Sequence, residues 1–437
     1  MKLVAKNQAL ANALLVLWAG GAALLSYSLV YALRKPYTAA SFDQLTVCGM
    51  DYKVWVTTVQ VVGYLIAKFI GIKLISELKP GNRFKFLAIA ALCAEVSLIG
   101  FGLLNTPFNL LAMFANGLSL GCMWGVVFSF IEGRKITDML ASLLGVSIVF
   151  SAGFAKSIGL IAMQQFNLSP FWMPAAIGGI ALPCLLGMGY LLQMLPQPTE
   201  EDIRLRSKRI ALDHQGRKTL FLQFAPILSL IFFGNFLLVV LRDVKEDFLV
   251  EIIDMSQHSS WLFTRIDSII TISLLVLFGM FTWQRNNIKA LMYMILLVVA
   301  GCLTMTWVSY NYRSMQLTAT TWLFIQSSSL YIAYLTFQTI FFDRFIACFR
   351  VKGNVGFFIS IIDFVGYAGT VSVLCFKELV GTDIQWFDFY NQLAFVVGGC
   401  CSVVFSVAGI LIYKKYGMPT SDITSYSASL PPCTLAE

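Results

Sequence analysis

Stretches of about 20 apolar residues, the length that crosses a bilayer as a helix, alternate with short polar breaks along the whole chain. They predict twelve spans, at 10–33, 54–77, 86–104, 108–131, 139–163, 171–194, 220–241, 259–283, 288–309, 316–341, 354–376 and 389–413. The first is too long for a secretory signal and lacks a small-residue cleavage site followed by a soluble chain, so it reads as a retained helix. The longest hydrophilic stretch, 196–219 (PQPTEEDIRLRSKRIALDHQGRKT), falls midway and divides six spans from six. The pattern therefore predicts an all-α integral membrane protein: an N-terminal six-helix bundle over 1–195, a linker loop over 196–219, and a C-terminal six-helix bundle over 220–415. The polar tail at 416–437, with its Pro and Ser residues, has the composition of a disordered segment.

The two halves repeat one another. Arg34 ends the apolar run SLVYALRK and Arg242 ends LLVVLRDV, 208 residues later; Gly71 and Gly279 open similar basic loop segments at the same separation. This is the signature of two copies of one unit, with a cation at the same address in each.

Composition supports the pattern, because 58% hydrophobic and 12% charged residues with a mean hydropathy of +0.76 exclude an ordinary soluble domain. The net charge of +8 follows from topology. Lys2 and Lys6, Lys79/Arg83/Lys85, Arg134/Lys135, the run from Arg204 to Lys218, Arg285/Lys289, Arg344/Arg350/Lys352 and Lys414/Lys415 all fall on one side, which is the cytoplasmic one by the positive-inside rule. On the other side, 105–107 and 165–170 hold no Lys or Arg, and 243–254 sets Asp243, Glu246, Asp247, Glu251 and Asp254 against Lys245 alone. Both termini are expected in the cytoplasm, with the cell inner membrane as the location. The charge implies no nucleic-acid partner; membrane lipid and a small solute are the expected partners of a monomer. The basic run in 196–219 reads as a plain linker or as an amphipathic segment on anionic headgroups.

Most of the ten cysteines, including Cys93, Cys122, Cys184, Cys302 and the Cys400/Cys401 pair, lie in apolar spans without a CxxC and read as packing residues. His214 and His258 fall in loops, and no HExxH, HxxxxD or GxSxG is present. No cofactor or metal is expected, and an enzyme is the weaker class.

The unusual feature is a set of ionisable groups inside the spans: Arg34, Lys68, Glu95, Lys156, Arg242, Arg265, Asp267 and Asp363. Each costs about 2.5–3.5 kcal/mol at a helix centre, so they are expected to face a shared polar cavity. The competing explanation is that Arg34, Arg242 and Arg265 lie near span ends and snorkel; Glu95 is the member most readily explained as structural. Helical spacing puts Tyr27, Tyr31 and Arg34 on one face of the first span and Gln60, Tyr64 and Lys68 on one face of the second. Asn235 and Arg242 align on the seventh, and Asp363, Tyr367 and Thr370 on the eleventh. Arg265 and Asp267 are two apart and point in different directions. Counted as ionised, the set has a cationic surplus that a bound dianion offsets. Gly117, Gly121 and Gly125 make a small-residue stripe for close helix packing, and Gly178/Gly179 and Gly398/Gly399 read the same way.

These residues resemble the major facilitator superfamily, and in detail its organophosphate:phosphate antiporter branch, which includes the glycerol-3-phosphate and hexose-phosphate transporters. The resemblance spans nearly the whole chain. It rests on Tyr31-Ala-Leu-Arg34-Lys35 in the first span, Tyr64, Lys68 and Phe69 in the second, and Gly121-Cys-Met-Trp124 in the fourth. Leu241-Arg242 in the seventh, Ser259, Ser260, Trp261 and Asp267 in the eighth, and Gly366, Tyr367 and Gly369 in the eleventh complete it. Departures mark a divergent bacterial group: the family's histidine in the fifth span is replaced near Ser151, with Lys156 as a new cation. The loop acid after Gly71 is displaced to Glu77, and Trp283 stands where the second is expected. The resemblance implies that Arg34 and Arg242 grip a substrate phosphate from opposite halves, while Lys68 and Asp267 couple binding to the conformational switch.

The resulting expectation is a secondary transporter that works by alternating access. Its substrate-binding candidates are Arg34, Arg242, Lys68, Tyr31, Tyr64, Lys156 and Tyr367, and its coupling candidates are Asp267 and Asp363. The alternatives are a proton-coupled carrier of another organic anion and a transporter-like receptor for a phosphorylated metabolite. Topology is testable with cysteines at Ser207 and Ser256 in a background without reactive native cysteines. Impermeant maleimide is expected to label the second from outside and the first only after permeabilisation; labelling of both from one side overturns the orientation.

Overall fold

Apolar length makes these segments helices, because a backbone in lipid must satisfy its own hydrogen bonds. The computed structural model describes residues 14–197 and 222–417, except 44, 77, 133, 135–136, 256–257, 282–283, 285, 350–354 and 380–384. Its long helices are α1 (Leu14–Ala32), α2 (Tyr52–Ser76), α3 (Arg83–Leu103), α4 (Asn109–Ile131, with a turn at its middle), α5 (Thr137–Phe166) and α6 (Met173–Gln193). After the undescribed stretch come α7 (Ala225–Ile252), α8 (Leu262–Phe281), α9 (Asn287–Asn311), α10 (Ala319–Thr339), α11 (Val355–Leu379) and α12 (Trp386–Tyr416). A two-stranded hairpin, Thr46–Val47 with Met50–Asp51, joins α1 to α2. Most of the expected linker and the whole expected tail beyond Gly417 lie outside the described residues.

Ten of these helices are long and apolar enough to cross a membrane; α11 contributes a shorter apolar stretch, Phe364–Phe376. In α10 the buried polar residues Gln326, Ser327, Tyr331, Tyr334 and Thr336 face the interior, which lowers its hydropathy without exposing polar groups to lipid. Outward faces carry Ile89, Val96, Ile180, Ile272, Leu296 and Val403. The arrangement is the all-α major-facilitator membrane fold. Among the first six helices, α2 packs on α4, α3 on α4 and α6, and α1 on α5 and α6. In the second six, α12 packs on α7 and α9, α9 on α10, and α7 on α11. The two sets meet chiefly through α5 with α8 and α10, and α2 with α11.

One expectation fails. The stretch 243–254, read as an acid-rich external loop, is helical through Ile252 with a kink at Phe248 (φ −118°, ψ 23°), and Asp243, Lys245, Glu246 and Asp247 are buried. No Pro or Gly falls between Leu241 and Ile252, and Val244, Phe248, Leu249 and Ile252 continue the buried apolar side of α7 across the kink. Low hydropathy at this point marks charges that find partners inside the protein.

The glycine stripe of α4 is a packing device. A Cβ at Gly117 would stand 2.0 Å from the Gln60 carbonyl oxygen, and one at Gly121 would stand 2.5 Å from the Ala67 Cβ, so α2 and α4 touch backbone to backbone. Gly117→Ala is expected to cost about 1–3 kcal/mol through overpacking and to lower the thermal unfolding midpoint in detergent. Gly399→Ala, with open space at its Cβ, should leave it unchanged or raise it slightly.

Candidate functional site

Pro36 shapes the first part of the site. Lacking an N–H, it ends α1; the chain then turns through Arg34 N–H to Tyr31 O (3.0 Å) and Lys35 N–H to Tyr31 O (2.8 Å) into a 3-10 turn, Pro36–Ala39. Arg34 and Lys35 are thereby carried into the interior, at 3% and 2% exposure. The residue at the repeat position of Pro36 is Val244, so α7 continues past Arg242 and presents a further row of charges.

Arg34 lies with its guanidinium carbon 3.9 Å from the Tyr64 ring centroid and 5.8 Å from that of Tyr367. Lys68 Nζ stands 5.3 and 5.0 Å from the same two rings, which meet edge to face at 5.1 Å and join α2 to α11. Arg242 approaches Tyr367 from the other half, also at 5.8 Å, and lies 4.5 Å from the Tyr334 ring. Four of the expected residues, Arg34, Tyr64, Lys68 and Arg242, thus surround Tyr367, and cation–π attraction contributes at each face.

The two arginines differ in their partners. Arg242 donates to Asp243 Oδ1 through Nε at 3.0 Å and Nη2 at 2.5 Å, donates through Nη1 to the Tyr334 hydroxyl, and has Glu246 at 4.0 Å. Asp243 Oδ2 accepts from Thr370 Oγ1 at 2.8 Å, so α11 also holds this pair. Among the described residues no carboxylate pairs with Arg34, and its Nε is buried without a hydrogen-bond partner.

Tyr31, Lys156 and Asp267 belong to an adjoining group. Lys245 Nζ stands 3.6 Å from Asp267 Oδ1 and 4.3 Å from the Tyr331 ring, while the Tyr331 hydroxyl donates to Glu246 at 3.2 Å. Lys156, 1% exposed, donates among the described residues to Ala152 O at 3.4 Å and lies within electrostatic reach of Glu246 and Asp267. Tyr31 is buried one turn before Arg34, edge to face with Tyr27 at 5.5 Å, and within electrostatic range of Glu246, Arg34 and Arg242. Gly153 leaves room for Asp267: a Cβ there would be 2.5 Å from Oδ2. A third group closes the end where α1 and α7 finish. Lys35 pairs with Asp247 and Lys53 with Glu251, and Lys53 also donates to Thr38 O at 2.9 Å.

One expectation changes. Arg265 is exposed in the first turn of α8, outside the interior, because its long side chain reaches the helix end. Glu95 packs against α6 at Gly178, its Oε2 without a partner, and belongs to none of the three groups; Lys156 does not pair with it. Asp363 lies in α11, but its side chain is outside the described residues. Sequence reasoning missed Lys53, Tyr331 and Tyr334 and misplaced Asp243, Lys245, Glu246, Asp247 and Glu251. The apolar side that continues beyond Leu241 was the available signal. In the three groups together, Arg34, Lys35, Lys53, Lys68, Lys156, Arg242 and Lys245 stand against Asp243, Glu246, Asp247, Glu251 and Asp267. Adding Asp363 as a sixth acid still leaves a cationic surplus.

Residues 36–415 match DUF5690, a family of unknown function. No curated protein matches the sequence. Solved structures match the fold over most of the chain. The major facilitator superfamily proton:xylose symporter XylE, bound to 6-bromo-6-deoxy-D-glucose, superimposes with a TM-score of 0.64 at 14% identity, over 92% of this chain and 96% of that one. The nucleoside transporter NupG gives 0.55 at 13% over 91% and 100%, and the E. coli fucose:proton symporter FucP gives 0.54 at 13% over 89% and 98%.

The buried pairs generate a stability test. Asp247→Ala leaves Lys35 as an unpaired buried cation, for which about 3–5 kcal/mol is expected. The double variant Lys35→Met/Asp247→Leu removes both charges and should recover most of that loss. Thermal unfolding of the purified protein in detergent reads both; equal midpoints for wild type and Asp247→Ala would refute the pairing.

Proposed function

This chain belongs to the DUF5690 family, and we propose that it is a secondary active transporter of a small anionic solute, an organophosphate exchanged for phosphate. The observation that carries the proposal is Arg34: a guanidinium at 3% exposure, between tyrosine rings from both halves, with no carboxylate partner among the described residues. A buried charge without a counterion is costly, and an anionic ligand is the partner that removes the cost. Lys68 extends the cradle, and Arg242 faces it across Tyr367. A phosphoryl group suits arginine because the planar fork engages two oxygens at once.

In this reading, residues 1–195 and 220–415 rock as two bodies joined by 196–219, with both termini in the cytoplasm. The end closed by Lys35–Asp247 and Lys53–Glu251 is then external. Asp243 already neutralises Arg242 before ligand arrives, so the substrate competes with a carboxylate for that arginine, whereas Arg34 has no carboxylate partner among the described residues. An empty site keeps its surplus charge inside a low-dielectric interior, which disfavours reorientation without ligand and favours exchange. Asp267, in the α5–α8 contact beside Lys245 and Lys156, couples occupancy to movement. The burial of this carboxylate at the contact of the two halves also supports the second reading, a proton-coupled carrier of another organic anion with Asp267 as its proton site.

Counterflow in proteoliposomes loaded with phosphate or phosphate esters tests the substrate class. Arg34→Lys keeps the charge and loses the fork, so affinity should fall by about 1.5–3 kcal/mol, roughly 10- to 150-fold. Arg242→Lys should fall similarly, and the two effects should be coupled in the double mutant. Wild-type protein that neither binds nor exchanges a phosphorylated anion sinks the substrate class. For coupling, Asp267→Asn is expected to lower turnover more than affinity. A dependence of wild-type flux on a pH gradient selects the proton-coupled reading, and ligand binding without flux selects a receptor.

A further inference from the structure

The break after α1 exposes a problem that the site must solve. Carbonyls in the last turn of a helix have no partner further along the same helix, and Pro36 removes one of the N–H groups that would have supplied one. The carbonyls of Leu33, at the cap, and Arg34, just past it, face the same lack of partners, and among the described residues no backbone N–H takes them. Two side chains do. Gln60 Nε2 on α2 donates to Arg34 O at 2.9 Å, and Asn116 Nδ2 on α4 donates to Leu33 O at 3.1 Å and to Ala94 O on α3 at 3.3 Å. The two amides are themselves linked, Gln60 Nε2 to Asn116 Oδ1 at 2.9 Å. Both side chains are fully buried.

We propose that Gln60 and Asn116 form an amide clamp that holds the broken end of α1 and so fixes where the Arg34 guanidinium lies; they are positioning residues of the anion site. Three features converge on this role. First, Gln60, Tyr64 and Lys68 follow one another at four-residue intervals on α2. One stripe therefore holds the backbone of Arg34, covers its guanidinium with a ring, and adds the next cation. Second, Asn116 directly precedes Gly117, whose missing side chain lets α4 meet α2 at the Gln60 carbonyl. The glycine stripe thus brings the two amides together as well as packing the helices. Third, Asn116 ties α1 to α3 in the same contact, so the position of Arg34 is referred to three helices. A side-chain amide is suited to the task because it donates two hydrogen bonds and accepts others without adding charge to an interior that already holds a cationic surplus.

The anion-binding part of this inference rests on the transporter reading, whereas the holding of the α1 break does not. Two measurements on Gln60→Met, which keeps length without the amide, and on Asn116→Ala separate them. Hydrogen exchange of peptides covering 29–40 in the purified protein should speed up by about tenfold or more in either variant, while peptides from α9 and α12 keep wild-type rates. Inorganic phosphate affinity should fall by about tenfold in each variant. In the Arg34→Lys background the same substitutions should lower it by less than about threefold, because they act through the arginine. Unchanged exchange at 29–40 in both variants overturns the clamp. Equal affinity losses with and without Arg34 overturn positioning of that residue. Faster exchange at 29–40 in a protein whose wild type binds no phosphate upholds the clamp and refutes the transporter's substrate class instead.

Discussion

Everything in the interior depends on one constraint: a charge taken from water into a membrane-embedded protein must meet an opposite charge or a set of hydrogen bonds there. Helix α7 answers it by bringing four buried acids and bases in a row, Asp243, Lys245, Glu246 and Asp247, directly after Arg242. Each has a counterpart on another element: Thr370 for Asp243, Asp267 for Lys245, Tyr331 for Glu246 and Lys35 for Asp247. The contacts reach α1, α8, α10 and α11. A single helix thus sets the electrostatic state of the whole interface, and Arg34 is conspicuous because it stands beside this network without being balanced by it.

The two halves repeat in sequence but diverge in structure at the point where it matters. Arg34 and Arg242 stand 208 residues apart in similar sequence settings, yet one lies beyond the end of its helix and the other within a helix that runs ten residues further. A proline in the first half and a valine in the second account for the divergence. The consequence is a division of labour: the first half provides an arginine held by amides and covered by rings, and the second provides an arginine held by a carboxylate.

Much of the architecture was legible in the chain, since the predicted spans, the Gly117–Gly125 stripe and the shared face of Gln60, Tyr64 and Lys68 all follow from apolar length and helical spacing. Spacing works for these because each relation lies within one helix. The ion pairs were not legible in the same way. Lys35 and Asp247 are 212 residues apart, and nothing local tells an acid in a loop from an acid facing a lysine in another helix. Hydropathy drops equally in both cases, which is why 243–252 read as a loop. Gln60 was visible as a member of a polar face, but its partner, a backbone carbonyl, carries no side-chain signature at all.

The pairing of Lys35 with Asp247 and of Lys53 with Glu251 also has a meaning for descent. Each pair joins a residue encoded early in the chain to one encoded late, so a change at one end strands a charge at the other unless it is matched there. At these positions the early and late parts of the chain are matched to each other by charge. A hybrid that joins the first half of this chain to the second half of a distant relative inherits two sets of charges selected in different company. Its compatibility is decided by those few positions more than by overall similarity.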